Sequence, residues 1–114
     1  MRRDPRALLA DVIEACDAIA SAILGLDLAA YQRSRLVRSA VEREFIIIGE
    51  AVASLSRVAP ATCAAISRAR RVVDFRNLLT HGYAAVDDAV VLAIAQRDVP
   101  VLREECAELL AALG

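Results

Sequence analysis

Apolar residues recur three and four positions apart through almost the whole chain, and only four Gly and three Pro interrupt them. That spacing leaves one stripe per helix to bury. The alternation of half-buried strands is absent, while Ala, Leu, Arg and Glu, all good helix formers, dominate. The pattern predicts an all-α protein, a compact antiparallel bundle of four to five helices forming a single domain over residues 1–114. With 58% of residues hydrophobic, the chain can offset its ordering entropy, which excludes disorder.

The boundaries follow from caps and breakers. Asp4 before Pro5 starts a first helix whose stripe is Leu9, Val12, Cys16, Ile19 and Ile23, and Gly25 ends it. Asp27 opens a short turn carrying Leu28 and Tyr31. A long helix then runs from about Ser34 to Arg57 with Val37, Ala40, Val41, Phe45, Ile48, Val52 and Leu55 on one side, stopped by Pro60. A short segment around Ala61 to Ile66 leads to a helix bearing Val72, Val73, Phe75, Leu78 and Leu79, which ends near Gly82. Asp87 caps the last stretch, with Val90, Val91, Ile94, Leu102, Leu109, Leu110 and Leu113, which Pro100 is expected to kink or divide, with Asp98 as the new cap.

Composition removes several function classes. There is no Trp and aromatic residues are 4%, a poor basis for an aromatic platform that stacks single-stranded nucleic acid. Cys16, Cys63 and Cys106 are far apart and odd in number, without metal-finger spacing, and read as buried hydrophobes in a reducing compartment. Asp11, Glu14 and Asp17 interrupt any signal-type apolar run, and the longest uncharged runs, such as Ala89 to Ala95, fall far short of the ~20 residues that span a bilayer. The expectation is a cytoplasmic protein with no membrane partner.

Net charge is −1, which argues against an indiscriminate nucleic-acid binder. Its distribution says more. Residues 1–32 hold three Arg and five acids, residues 33–76 nine Arg and four acids, and residues 77–114 two Arg and six acids, giving −2, +5 and −4. All basic residues are Arg, the side chain best shaped for bidentate contact with phosphate, so the central segment is either an ordinary solvated surface or an RNA-facing stripe.

The single His lies in Arg76-Asn77-Leu78-Leu79-Thr80-His81-Gly82-Tyr83. On a regular helix Arg76 and Tyr83 share a face and Asn77 and His81 share the adjacent one. Arg76 and His81 diverge by about 140°, so they meet on one ligand only if the helix loosens at Gly82 or a second chain completes the site. An Arg and a protonatable His suit RNA cleavage by the ribose 2′-OH: one moves protons, the other offsets charge on the phosphoryl oxygens, and neither metal nor other cofactor is called for. With one His per chain, a two-fold dimer would supply the missing acid–base partner. Taken alone, the spacing fits a surface Arg, a C-capping His and a half-buried packing Tyr better than a site.

The stretch Arg76 to Tyr83 also resembles the Arg-four-residues-His-x-Tyr motif of HEPN ribonucleases, in particular the HepT toxins of bacterial HEPN/MNT toxin–antitoxin pairs. Ala40 to Ala51, ending Ile48-Gly49-Glu50-Ala51, is similar to that family's second-helix segment, and Val86-Asp87 with Asp98 to Leu102 is similar to its capped, proline-containing last helix. The family's Ile-Pro-Trp-like turn is replaced here by Ala64-Ala65-Ile66 and Arg68 to Arg71. The resemblance implies a helical homodimer that cleaves RNA at its interface, with Arg76 and His81 catalytic and Asn77 in support. It also implies an MNT-type nucleotidyltransferase antitoxin that adenylylates Tyr83. Arg43 and Glu50 match family positions without an assigned role. The competing expectation is a non-catalytic helical module that binds and orients a nucleotidyltransferase.

Overall fold

In a computed structural model that describes residues 3–114, four helix starts are capped where the sequence places them. Asp4 accepts from the Arg6 amide, Asp27 from Ala30 at 2.8 Å, Ser34 from Val37 at 3.2 Å and Asp87 from Ala89 at 2.8 Å. These start α1 (Pro5–Ile23), α2 (Leu28–Arg33), α3 (Arg35–Val58) and α6 (Asp88–Leu113). Each cap satisfies an amide that the helix cannot pair internally. Gly25, at φ 75, supplies the left-handed residue that turns the chain from α1 into α2. Pro60 stops α3 and opens the short α4 (Pro60–Ala64), and α5 (Ala69–His81) ends one residue before Gly82. A 3₁₀ turn, Tyr83–Ala85, connects it to α6.

The four long helices make the bundle and the two short ones close its ends. α1 packs between α3 and α6, α5 lies on the other side of α3, and α2 bridges α3 and α6. The core follows the predicted stripes on α1 and α3, apart from exposed Ala40: Leu9, Val12, Cys16 and Ile19 of α1 meet Val41, Phe45, Ile48, Val52 and Leu55 of α3, whereas α6 buries Val91, Leu92, Val99 and Leu102 and leaves the expected Val90 and Leu113 exposed. All three cysteines are buried free thiols. Burial pushes Cys16 and Cys106 up to about 12, so they stay protonated and serve as packing groups. Among the described residues no helix is long and apolar enough to cross a membrane.

The expectation that Pro100 divides the last helix, with Asp98 as a new cap, is corrected. α6 is not divided: Pro100 sits inside one continuous helix, exposed to solvent, and Asp98 caps nothing. Proline deprives the Gln96 carbonyl of its donor, at a cost of about 3 kcal/mol. The apolar stripe runs on either side of it, through Val91, Leu92, Ala95, Val99, Leu102 and Cys106, and burying that stripe outweighs the lost hydrogen bond. Asp98 instead faces Arg68 and Arg71 at 3.7 and 3.9 Å, and Glu105 accepts from the Ser67 amide and hydroxyl. These contacts, with Ile66 buried beneath them, fasten the approach to α5 onto α6.

Candidate functional site

α5 carries most of the motif on the outside of the bundle. Leu79 is its one fully buried residue, while Val72, Val73 and Phe75 are half-buried against the core. Phe75 meets Phe45 of α3 edge to face, with centroids 5.1 Å apart and planes at 87°. Such a pair contributes about 0.5–1.5 kcal/mol beyond its buried area and fixes the rotation of α5 on α3.

That rotation turns Arg76 toward α3, where its stem crosses Gly49. A β-carbon built on Gly49 would overlap the Arg76 Cβ and stand 2.6 Å from its Cγ, with the Val72 carbonyl oxygen at 3.4 Å. Only glycine lets the two helices approach this closely here. The next residue, Glu50, lies 3.8 Å from Arg76 Nη2, and Arg76 Nη1 donates to Asn77 Oδ1 at 2.8 Å. The Ile-Gly-Glu-Ala segment and the Arg-x4-His motif are therefore one structural unit. Glycine makes room for the arginine stem, and glutamate and asparagine orient its head. The role of Glu50 was not readable from spacing; the cradle is its explanation. Arg43 is exposed on α3 and forms no ion pair among the described residues.

Gly82 does not loosen the helix. α5 stays regular through His81, and the Gly82 amide donates to the Leu78 carbonyl at 2.8 Å, closing the last turn. Thr80 also bonds back, to the carbonyls of Arg76 and Asn77. The divergence expected of Arg76 and His81 on a regular helix is thus retained. His81 is exposed at the C-terminal end of α5, and no hydrogen bond or ion pair links it to Arg76 among the described residues.

Tyr83 lies beyond the helix, so it does not share a face with Arg76. It is 67% exposed and lines a different recess, of about 340 Å³, with Arg35, Arg38, Ser39, Glu42, Val86 and Asp88. α5 runs antiparallel to α3: Arg76 sits over Gly49, and Tyr83 sits beside Ser39, ten residues or about 15 Å back along α3. Arg38 reaches Asp88 at 3.7 Å. Burial raises the Glu42 carboxyl, helped by nearby Asp88 and opposed by Arg38. Among the described residues no three His, Cys, Asp or Glu side chains gather as metal ligands.

The positive central segment is divided by these contacts. Arg38, Arg68, Arg71 and Arg76 each stand 3.7–3.9 Å from a carboxylate, whereas Arg35 and Arg43 form no ion pair among the described residues. The surface is not one continuous basic stripe.

Comparison with known proteins bears on the same residues. A family model described as "Ribonuclease HepT-like" matches residues 12–109, which include α3, all of α5 and the 3₁₀ turn. The chain is also 27% identical to a candidate RNase of Methanocaldococcus jannaschii over 104 residues, covering 91% of this chain and 94% of the relative. No solved structure matches it significantly.

Proposed function

We propose, for a chain that belongs to the HepT-like ribonuclease family, that it is a metal-independent endoribonuclease toxin working as a homodimer. An MNT-type nucleotidyltransferase antitoxin silences it by adenylylating Tyr83. The observation that carries the cleavage reading is the Arg76 cradle. A guanidinium oriented by Gly49, Glu50 and Asn77 stands on the same exposed helix as the chain's single, unengaged imidazole.

In the chemistry this pair suits, the ribose 2′-oxygen attacks the adjacent phosphorus as a base takes its proton. The bond from phosphorus to the 5′-oxygen breaks, and an imidazolium protonates that oxygen. The products are a 2′,3′-cyclic phosphate and a 5′-hydroxyl. Arg76 faces the charge growing on the non-bridging oxygens, and the His81 side chains of two chains provide base and acid. Two features support the dimer: α5 packs chiefly on α3, with α6 touching it near Arg71, and Leu78, between Arg76 and His81, is 37% exposed. A second copy laid on that face would bring the diverging groups together.

Tyr83 suits modification because its side chain is largely exposed on a short turn beside the motif helix. Attack of its oxygen on the α-phosphorus of ATP releases pyrophosphate and leaves a negatively charged adenylyl group. That charge and bulk would stand where RNA phosphate must bind.

End-group analysis of cleaved RNA tests the reaction: cyclic phosphate and 5′-hydroxyl termini are expected, and 3′-hydroxyl with 5′-phosphate termini overturn it. Intact mass after co-expression with the nucleotidyltransferase tests the modification. An adenylyl increment lost in Tyr83→Phe is expected, and an unmodified wild-type chain refutes it. A stable complex with the partner and no RNA cleavage would favour the non-catalytic module instead.

A further inference from the structure

The recess beside Tyr83 has a construction that RNA cleavage at Arg76 and His81 does not use. Arg35, Arg38, Ser39 and Glu42 stand at i, i+3, i+4 and i+7, one face of the first two turns of α3, and all four line it. The N-terminus of α6 forms the opposite wall through Asp88.

The charges in that space are unevenly committed. Arg38 is held by Asp88 at 3.7 Å, too long for a hydrogen bond, while Arg35 has no acidic partner among the described residues.

We propose that this recess is a nucleotide-phosphate subsite in which Arg35, Arg38 and Ser39 take the oxygens of a phosphate placed beside the Tyr83 hydroxyl. An exposed Arg with no acidic partner among the described residues, a loosely held Arg one turn on and a serine hydroxyl form a donor set for a singly charged phosphodiester, with the carboxylates of Glu42 and Asp88 on the same walls limiting the site to a single negative charge. The inference rests on the reading of this chain as acting on RNA and carrying a nucleotide at Tyr83. Both sources present the same group: the RNA backbone, or the phosphodiester joining adenosine to the tyrosyl oxygen.

The experiment uses the full chain with His81→Ala, so that RNA stays intact. Arg35 and Ser39 are exposed, so Arg35→Ala and Ser39→Ala test the recess without disturbing the core, and Arg97→Ala, an exposed Arg elsewhere, is the control. In the first arm, a 20-nucleotide RNA is titrated by fluorescence anisotropy at several salt concentrations. Arg35→Ala is expected to weaken binding about five- to thirty-fold and to lower the salt slope by about one, beyond any change in the control. In the second arm, the adenylylated chain is treated with phosphodiesterase, and Arg35→Ala is expected to speed release of AMP several-fold. An effect in the first arm alone assigns the subsite to RNA, and in the second alone to the tyrosyl nucleotide. If Arg35→Ala and Ser39→Ala match Arg97→Ala in the RNA arm and in release of AMP, the proposal is overturned. Should the chain accept no adenylyl group, the RNA arm decides by itself. Weakened RNA binding in a protein that neither cleaves RNA nor accepts AMP would keep the subsite and discard the toxin reading.

Discussion

Gly49 shows how one missing side chain can decide a site. Any β-carbon there meets the stem of Arg76, so Gly49→Ala must push α5 away from α3. Overpacking of this kind costs about 1–3 kcal/mol, and the shifted guanidinium should lower RNA cleavage about ten-fold or more. Glu50→Gln is the contrast. The residue is exposed, so stability should stay within about 0.5 kcal/mol while kcat falls, whereas unchanged kcat would leave Glu50 no part in orienting Arg76. Glu42 makes a prediction about pH. Burial raises its carboxyl in the folded state above the unfolded value, so the native protein binds that proton more readily, and stability falls as pH rises through and above the ordinary carboxylate range. Glu42→Gln should therefore raise Tm more at pH 7.5 than at pH 4; an equal shift at both would contradict the assignment. At this scale the sequence was legible in part. Arg76, Asn77, His81 and Tyr83 could be singled out from one motif, but that Gly49 faces Arg76 depends on the rotation of α5 about its axis, which local spacing does not encode.

Helix boundaries were more legible, because caps act over three or four residues and can be read where they stand. Asp4, Asp27, Ser34 and Asp87 each receive the expected amide. The division expected at Pro100 is absent for the opposite reason. A local rule ends the helix there, while the burial that carries α6 past it depends on α1, far away in sequence. Pro100→Ala should restore the hydrogen bond to the Gln96 carbonyl at an exposed position and stabilise the protein by about 1–3 kcal/mol, measured by urea denaturation. A destabilised variant would mean that the proline's local geometry is part of the packing on α1. Asp98 was misread along with it: an acid two residues before a proline looks like a cap, yet its partners, Arg68 and Arg71, lie across the bundle.

For the molecule as a whole, a net charge of −1 hides a division that only the fold resolves. Arg38, Arg68, Arg71 and Arg76 of the positive segment fasten helices together, and Arg33 and Arg35, with no ion pair among the described residues, stand at the end of α2 and the start of α3. The motif helix remains uncovered on its outer face, with Arg76 and His81 diverging on a regular turn. In the proposed dimer two chains complete the site, and specific activity should then fall on dilution in step with the dimer fraction seen by sedimentation. Activity independent of concentration, in a protein that sediments as a monomer, would place both groups in one chain. The central claim is tested most directly by single-turnover cleavage of RNA in EDTA by the wild type, Arg76→Ala and His81→Ala, each verified as folded. Cleavage by the wild type, reduced at least a hundred-fold or so in both variants, is the predicted result. Equal cleavage by all three proteins, or none by the wild type unless a divalent metal is restored, would contradict it.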